Sequence, residues 1–98
     1  MKIIELKPLL ENIEIIKNNP DAQDIYEYVS ESVTKAATPS MAQSVCEYID
    51  RMCHPKAWGD RYVSGFEGIT DWTSYLSTLA NTAVSCWNQI SKNYNSTN

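Results

Sequence analysis

Between Trp72 and Ile90 the apolar residues Trp72, Leu76, Leu79, Ala83, Cys86 and Ile90 step by 4, 3, 4, 3 and 4. This is the seam of a helix packed nearly along the direction of its neighbours. Ala80, Val84 and Trp87 widen the apolar arc to about half the circumference at 100° per residue. An arc that wide needs two or three further helices against it, which commits the chain to helical packing. Thr70 is placed to cap this helix and Asp71 to sit in its first turn. The twenty residues from Trp72 to Ser91 carry no charge, yet ten are Ser, Thr, Asn or Gln. The segment is too polar to span a bilayer.

Proline sets the limits of the other helices. Leu6, Leu9, Leu10, Ile13 and Ile16 predict a first helix over about residues 6–18, with Pro8 in its first turn. Asn19-Pro20-Asp21 reads as a stop followed by a start, Asn19 capping a second helix. That helix carries Ala22, Ile25, Tyr26, Val29, Val33, Ala36 and Ala37 on one stripe. Thr38-Pro39-Ser40 repeats the capping pattern. A third helix places Met41, Val45, Ile49 and Met52 on one seam, with Ala42, Cys46 and Cys53 beside it, and ends before Pro55. The expected fold is therefore all-α: a four-helix bundle-like single domain over residues 1–92, followed by a flexible polar tail at 93–98.

Residues 54–69 interrupt the rhythm. They hold all three glycines, the only histidine and the only phenylalanine. A connection this long is either functional or contains a short helix. Trp58, Tyr62 and Phe66 at i, i+4 and i+8 would suit a helical turn or two, against which Gly59 argues.

Charge decides which classes of partner fit. The chain has a net charge of −4 and a pI near 4.8, so a basic surface for nucleic acid or anionic membrane is not expected. Residues 1–50 hold nine acids against four lysines, net −5, and residues 51–98 hold three against four bases, net +1. The N-terminal stretch is broken by charge at positions 2, 5 and 7, which does not match a secretory leader. Three cysteines, an odd number, do not match a secreted disulfide framework. The expected compartment is the cytoplasm.

Catalytic grammar is missing. Cys46 and Cys53 are two helical turns apart, about 10.5 Å, too far for shared metal coordination or a disulfide within one helix. No paired metal-ligand spacing and no phosphate-binding glycine loop occur. No cofactor, metal or enzymatic activity is expected, and the cysteines read as small buried hydrophobes.

Two patches have the composition of protein contacts. On the second helix Asp24, Glu27, Tyr28 and Glu31 lie opposite the apolar stripe, an acidic face with a tyrosine suited to a basic protein surface. Its alternative is a solvated face with a Glu31–Lys35 pair. Trp58, Asp60, Arg61 and Tyr62 combine the residue types of interface hot spots. Their alternative is a roof over the core, with Arg61 stacked on Trp58 or paired with Asp60. A third surface, Ser74, Thr78, Asn81, Ser85 and Asn88 on the back of the last helix, is polar but uncharged, which suits a homodimer; its alternative is a plain solvent face.

The run His54-Pro55, then Gly59-Asp60 and Tyr62, after an acidic helix, resembles a short segment of the immunity proteins of bacterial nuclease colicins, small acidic four-helix inhibitors. The resemblance is confined to this run; its spacing departs from that family's pattern, and the long last helix is not theirs. It implies that this kind of surface can serve an inhibitor. The expected function is a non-enzymatic protein-binding module, a small acidic inhibitor or immunity-type factor of a bacterial or phage setting, acting on a larger protein with a basic surface. The alternatives are an oligomerising subunit or assembly factor using the last helix, and a small enzyme or ligand carrier.

Overall fold

In the computed structural model, which describes residues 3–94, the last helix is the spine. This helix, α4 (Gly68–Tyr94), has 27 residues and so is about 40 Å long at 1.5 Å per residue, against a longest molecular dimension of 46 Å. The predicted seam Trp72, Leu76, Leu79, Ala83, Cys86 and Ile90 is buried, with Tyr75 beside it. The arc narrows at mid-helix, where Ala80 and Trp87 are half-buried and Val84 is exposed. The helix begins two residues before Thr70. The Asp71 carboxylate accepts the Glu67 N–H at 2.9 Å, tying the residue ahead of the helix to its first turn, and Gly68 turns the chain in at φ +84°.

The first helix is less regular than its apolar spacing suggests. Helix α1 covers only Lys7–Asn12, and 3₁₀ turns at Ile4–Leu6 and Ile13–Ile16 flank it. The run Ile13-Glu14-Ile15-Ile16 is β-branched at three of four positions, which crowds an α-helical turn. Leu6, Leu9, Ile13 and Ile16 still face the core, while Ile15 lies outside.

Helix α2 (Gln23–Lys35) buries Ile25, Val29 and Val33. It starts later than Asn19-Pro20-Asp21 suggested. The Asn19 Oδ1 accepts the Asp21 N–H at 3.0 Å and the Asn19 carbonyl accepts the Ala22 N–H at 3.1 Å, so Asn19 closes a turn ahead of the helix instead of capping it. Helix α3 (Pro39–Met52) begins as expected: the Thr38 hydroxyl accepts the Met41 N–H at 3.1 Å and Pro39 occupies the first turn. Its buried seam is rotated from the expected one. Ala42, Cys46, Ile49 and the following Cys53 face the core, whereas Met41 is exposed and Val45 and Met52 are half-buried. Small side chains on this line, opposite Ala83 and Cys86, let α3 lie close to α4, with Cα atoms within 8 Å along the contact.

Long-range hydrogen bonds set the directions. Glu5 accepts from the Asn93 amide at 2.7 Å, and Tyr75 donates to the Asn12 carbonyl at 3.1 Å, so the N-terminal segment is antiparallel to α4. Gln43 donates to Ser91 at 2.9 Å and Trp72 to the Trp58 carbonyl at 2.9 Å, so α3 is antiparallel to α4 as well. Asn93 and Tyr94 therefore belong to α4 and not to a tail; residues 95–98 lie outside the described residues. The buried side chains of all the helices join in one hydrophobic cluster. Among the described residues there is no strand, and no helix is long and apolar enough to cross a membrane.

Candidate functional site

The connection between α3 and α4, residues 53–67, holds no helix. It is a series of turns fixed at many points. The Ala57 and Gly59 N–H groups donate to the His54 carbonyl, and the Trp58 N–H donates to the Met52 carbonyl at 2.9 Å. Chain folded this tightly puts Trp58 into the core and leaves Tyr62 outside, so the helical i, i+4 arrangement of Trp58, Tyr62 and Phe66 does not form. Trp58 is 6% exposed, and its ring meets Tyr28 and Tyr48 edge-on at 6.1 and 6.3 Å. Phe66 is half-buried against Trp72 and Tyr75.

The loop is clasped to the start of α2. The Arg61 guanidinium donates to both Asp24 carboxylate oxygens, at 2.8 and 3.1 Å, and to the Asp21 carbonyl at 3.1 Å. Two more bonds hold Ser64: its N–H donates to the Asp21 carboxylate at 3.0 Å, and its carbonyl accepts from the Asn19 amide at 2.7 Å. The forked geometry fixes direction as well as distance. The clasp joins the two sequence-defined patches into one surface.

Within that surface the eight candidate residues divide. Trp58 is buried. Tyr28 is half-buried, with its ring 4.8 Å from that of Tyr48, and is not a free tyrosine on an acidic face. Asp24 and Arg61 bind each other; Arg61 neither stacks on Trp58 nor pairs with Asp60. Glu27, Glu31, Asp60 and Tyr62 are exposed, Tyr62 by 73%. The Arg61–Asp24 pair is the one ion pair within 4 Å among the described residues, so Glu31 and Lys35 do not pair. Sequence reasoning missed Asp21, Ser64 and Tyr48, and gave Asn19 a different task. The Asn-Pro-Asp triplet was the available signal, since Asn and Asp close turns as readily as they cap helices.

The clasp also sets the electrostatics. The Ser64 backbone N–H holds the Asp21 carboxyl below its ordinary value, and the Arg61 hydrogen bond does the same for Asp24. Groups depressed in the folded state stabilise above the ordinary carboxylate range, and that contribution is lost as pH falls through their folded values. Asp24→Asn should therefore weaken the acid dependence of loop opening. Because the pair is largely solvated, the cost at neutral pH should be only about 0.5 kcal/mol. Protection of the Ser64 amide from hydrogen exchange, relative to the intrinsic rate at each pH, should fall in the variant at pH 6, and the wild type should lose the same protection only in acid. Equal Ser64 protection in both proteins at every pH would mean the pair does not hold the loop.

Elsewhere, Cys46, Cys53 and Cys86 are all buried, and burial pushes their thiols up to about 12, 12 and 11, which keeps them protonated at neutral pH. Among the described residues no three His, Cys, Asp or Glu side chains stand close enough to hold a metal ion. His54 is exposed and its Nδ1 accepts the Lys56 N–H at 3.1 Å. A groove of about 740 Å³ runs between the N-terminal segment and α4, past Ile4, Lys7, Glu11, Asn81, Ser85 and Gln89. Ser74, Thr78, Asn81, Ser85 and Asn88 are all exposed along the same helix. No family model, curated protein or solved structure matches the chain.

Proposed function

We propose that this chain is a non-enzymatic protein-binding module, folded as a four-helix bundle and acting in the cytoplasm as a small acidic inhibitor or immunity-type factor on a larger protein with a basic surface. The observation that carries the reading is Tyr62. It is 73% exposed on a loop held on both sides, by the Arg61 side chain to Asp24 and by the Ser64 backbone to Asn19 and Asp21. An aromatic carried on a held loop can enter a partner's pocket without the ordering cost that a mobile loop would add. Glu27 and Glu31 on the adjoining helix supply the field that attracts a basic partner.

The two contributions separate kinetically. Tyr62→Ala should raise the off-rate by roughly thirtyfold if Tyr62 is a hot spot of about 2 kcal/mol. The Glu27→Lys, Glu31→Lys double variant should slow association and flatten its salt dependence. The partner is first captured from the native host, and surface plasmon resonance at two salt concentrations then reads both effects. Unchanged affinity in all variants would remove this surface from the function.

A second reading rests on α4. Its exposed back is uncharged and adjoins exposed Val84 and the groove, the composition of an oligomer contact. Light scattering after gel filtration separates the two: a monomer at all concentrations removes the oligomerising subunit.

A further inference from the structure

Two of the three cysteines face each other across the α3–α4 seam. The Gln43–Ser91 bond fixes the register of this antiparallel pair at one end, and the Trp72–Trp58 bond fixes it at the other. Between those bonds the two buried lines run against each other, Ala42, Cys46, Ile49 and Cys53 from α3 against Ile90, Cys86, Ala83 and Leu79 of α4, and in that order Cys46 falls opposite Cys86. Both lie in the core, Cys46 fully buried and Cys86 3% exposed, with Ala42 and Ala83 one turn away keeping the backbones close. Burial first, and Cys86 second, push the Cys46 thiol up, which agrees with this pairing of the two seams. Cys53, just past the end of α3, lies two turns further along the same buried line.

We propose that Cys46 and Cys86 form a latent redox site, a thiol pair that a two-electron oxidant of the disulfide class closes into a cross-link between α3 and α4. The proposal is independent of the contact surface around Tyr62. Cys86 also lines the groove along α4, which is the route by which an oxidant reaches it. With glutathione disulfide, the Cys86 thiolate attacks one sulfur and one glutathione leaves as thiol. The Cys46 thiolate then attacks the Cys86 sulfur of the mixed disulfide and expels the second glutathione. Two cysteine S–H bonds break, one S–S bond forms, and two electrons and two protons pass to the glutathione pair. Because both thiols are protonated and buried, closure waits on local opening of the seam.

The full chain is incubated with glutathione disulfide at neutral pH in urea below the unfolding midpoint, then alkylated, weighed intact and digested with trypsin without reduction. The expected product lacks two hydrogens, retains one alkylatable thiol at Cys53, and gives a linked peptide joining residues 36–51 to residues 62–92. Its melting temperature should rise by about 10 °C or more, because the link closes a long loop in the unfolded chain. Cys53→Ser should cross-link as the wild type does, and Cys46→Ser should stop at the Cys86 adduct. Three remaining thiols, a wild-type reaction that ends at the adduct, a link through Cys53 or a link between chains would each overturn the proposal. The wild-type peptide map decides the matter even if Cys46→Ser does not fold.

Discussion

Trp72→Ala should cost about 4 kcal/mol, the middle of the range for truncating a buried aromatic side chain. The residue is 1% exposed, with its ring 5.0 Å edge-on from Phe66 and 5.5 Å from Tyr75 in a stacked pair. Its indole N–H is also the bond that ties the Trp58 carbonyl, and with it the loop, to α4 at 2.9 Å. Alanine removes the ring volume, the aromatic pairs and that donor together. A domain of this length has a total stability of about 5–15 kcal/mol, so the variant should melt at least 15 °C lower. Trp72→Phe keeps most of the ring but leaves the Trp58 carbonyl without its donor, and should cost about 2 kcal/mol. Urea denaturation followed by far-ultraviolet circular dichroism measures both without relying on tryptophan emission. A cost below about 1 kcal/mol for Trp72→Ala would mean the loop is not held to the spine here.

The same residue shows what was legible beforehand. Trp72 opens the 4, 3, 4, 3, 4 series, and every member of that series is buried, because a periodic apolar stripe has one way to leave water. The Thr38-Pro39 start of α3 was legible for a similar reason: a hydroxyl three residues before an orphan N–H needs no tertiary partner to be recognised. The seam of α3 was not. Met41, Val45 and Met52 are larger than Ala42 and Cys46 and offer more apolar surface to bury, so area alone ranks them as core. Close approach to α4 selects the smaller residues, and that selection exists only once the two helices meet.

The contact surface was legible in composition and illegible in assignment. Trp58, Arg61 and Tyr62 read alike as hot-spot types, yet the fold gives each a separate place: Trp58 in the core, Arg61 on Asp24, Tyr62 in solvent. The deciding contacts join residues about forty positions apart, Asn19, Asp21 and Asp24 with Arg61 and Ser64. No local pattern encodes a pairing of that kind.

Gly59 gives the second large effect, and its cause differs from that of the other loop glycine. Its φ is not in the left-handed region, so the backbone does not call for glycine on that ground. What forbids alanine is space: a Cβ at this position would lie 2.6 Å from the Pro55 Cα and 3.1 Å from the Pro55 carbonyl oxygen. Both obstacles are backbone, held by the bonds that the Ala57 and Gly59 N–H groups make to His54, so neither can swing aside. Gly59→Ala should therefore cost about 3 kcal/mol, the upper end for overpacking, and should loosen Trp58 with it. At Gly65 the situation is reversed. Its φ is +89° but a Cβ would meet nothing closer than the Asn19 amide nitrogen at 4.0 Å. Alanine there pays only the conformational penalty, about 1 kcal/mol. Asparagine, which tolerates positive φ, separates the two mechanisms: it should recover much of the loss at Gly65 and none at Gly59. Denaturant titration of the four variants reads the pattern. If asparagine at position 59 proves milder than alanine, the strain there is in the backbone angles, and the close packing of residues 54–59 is not what fixes the loop.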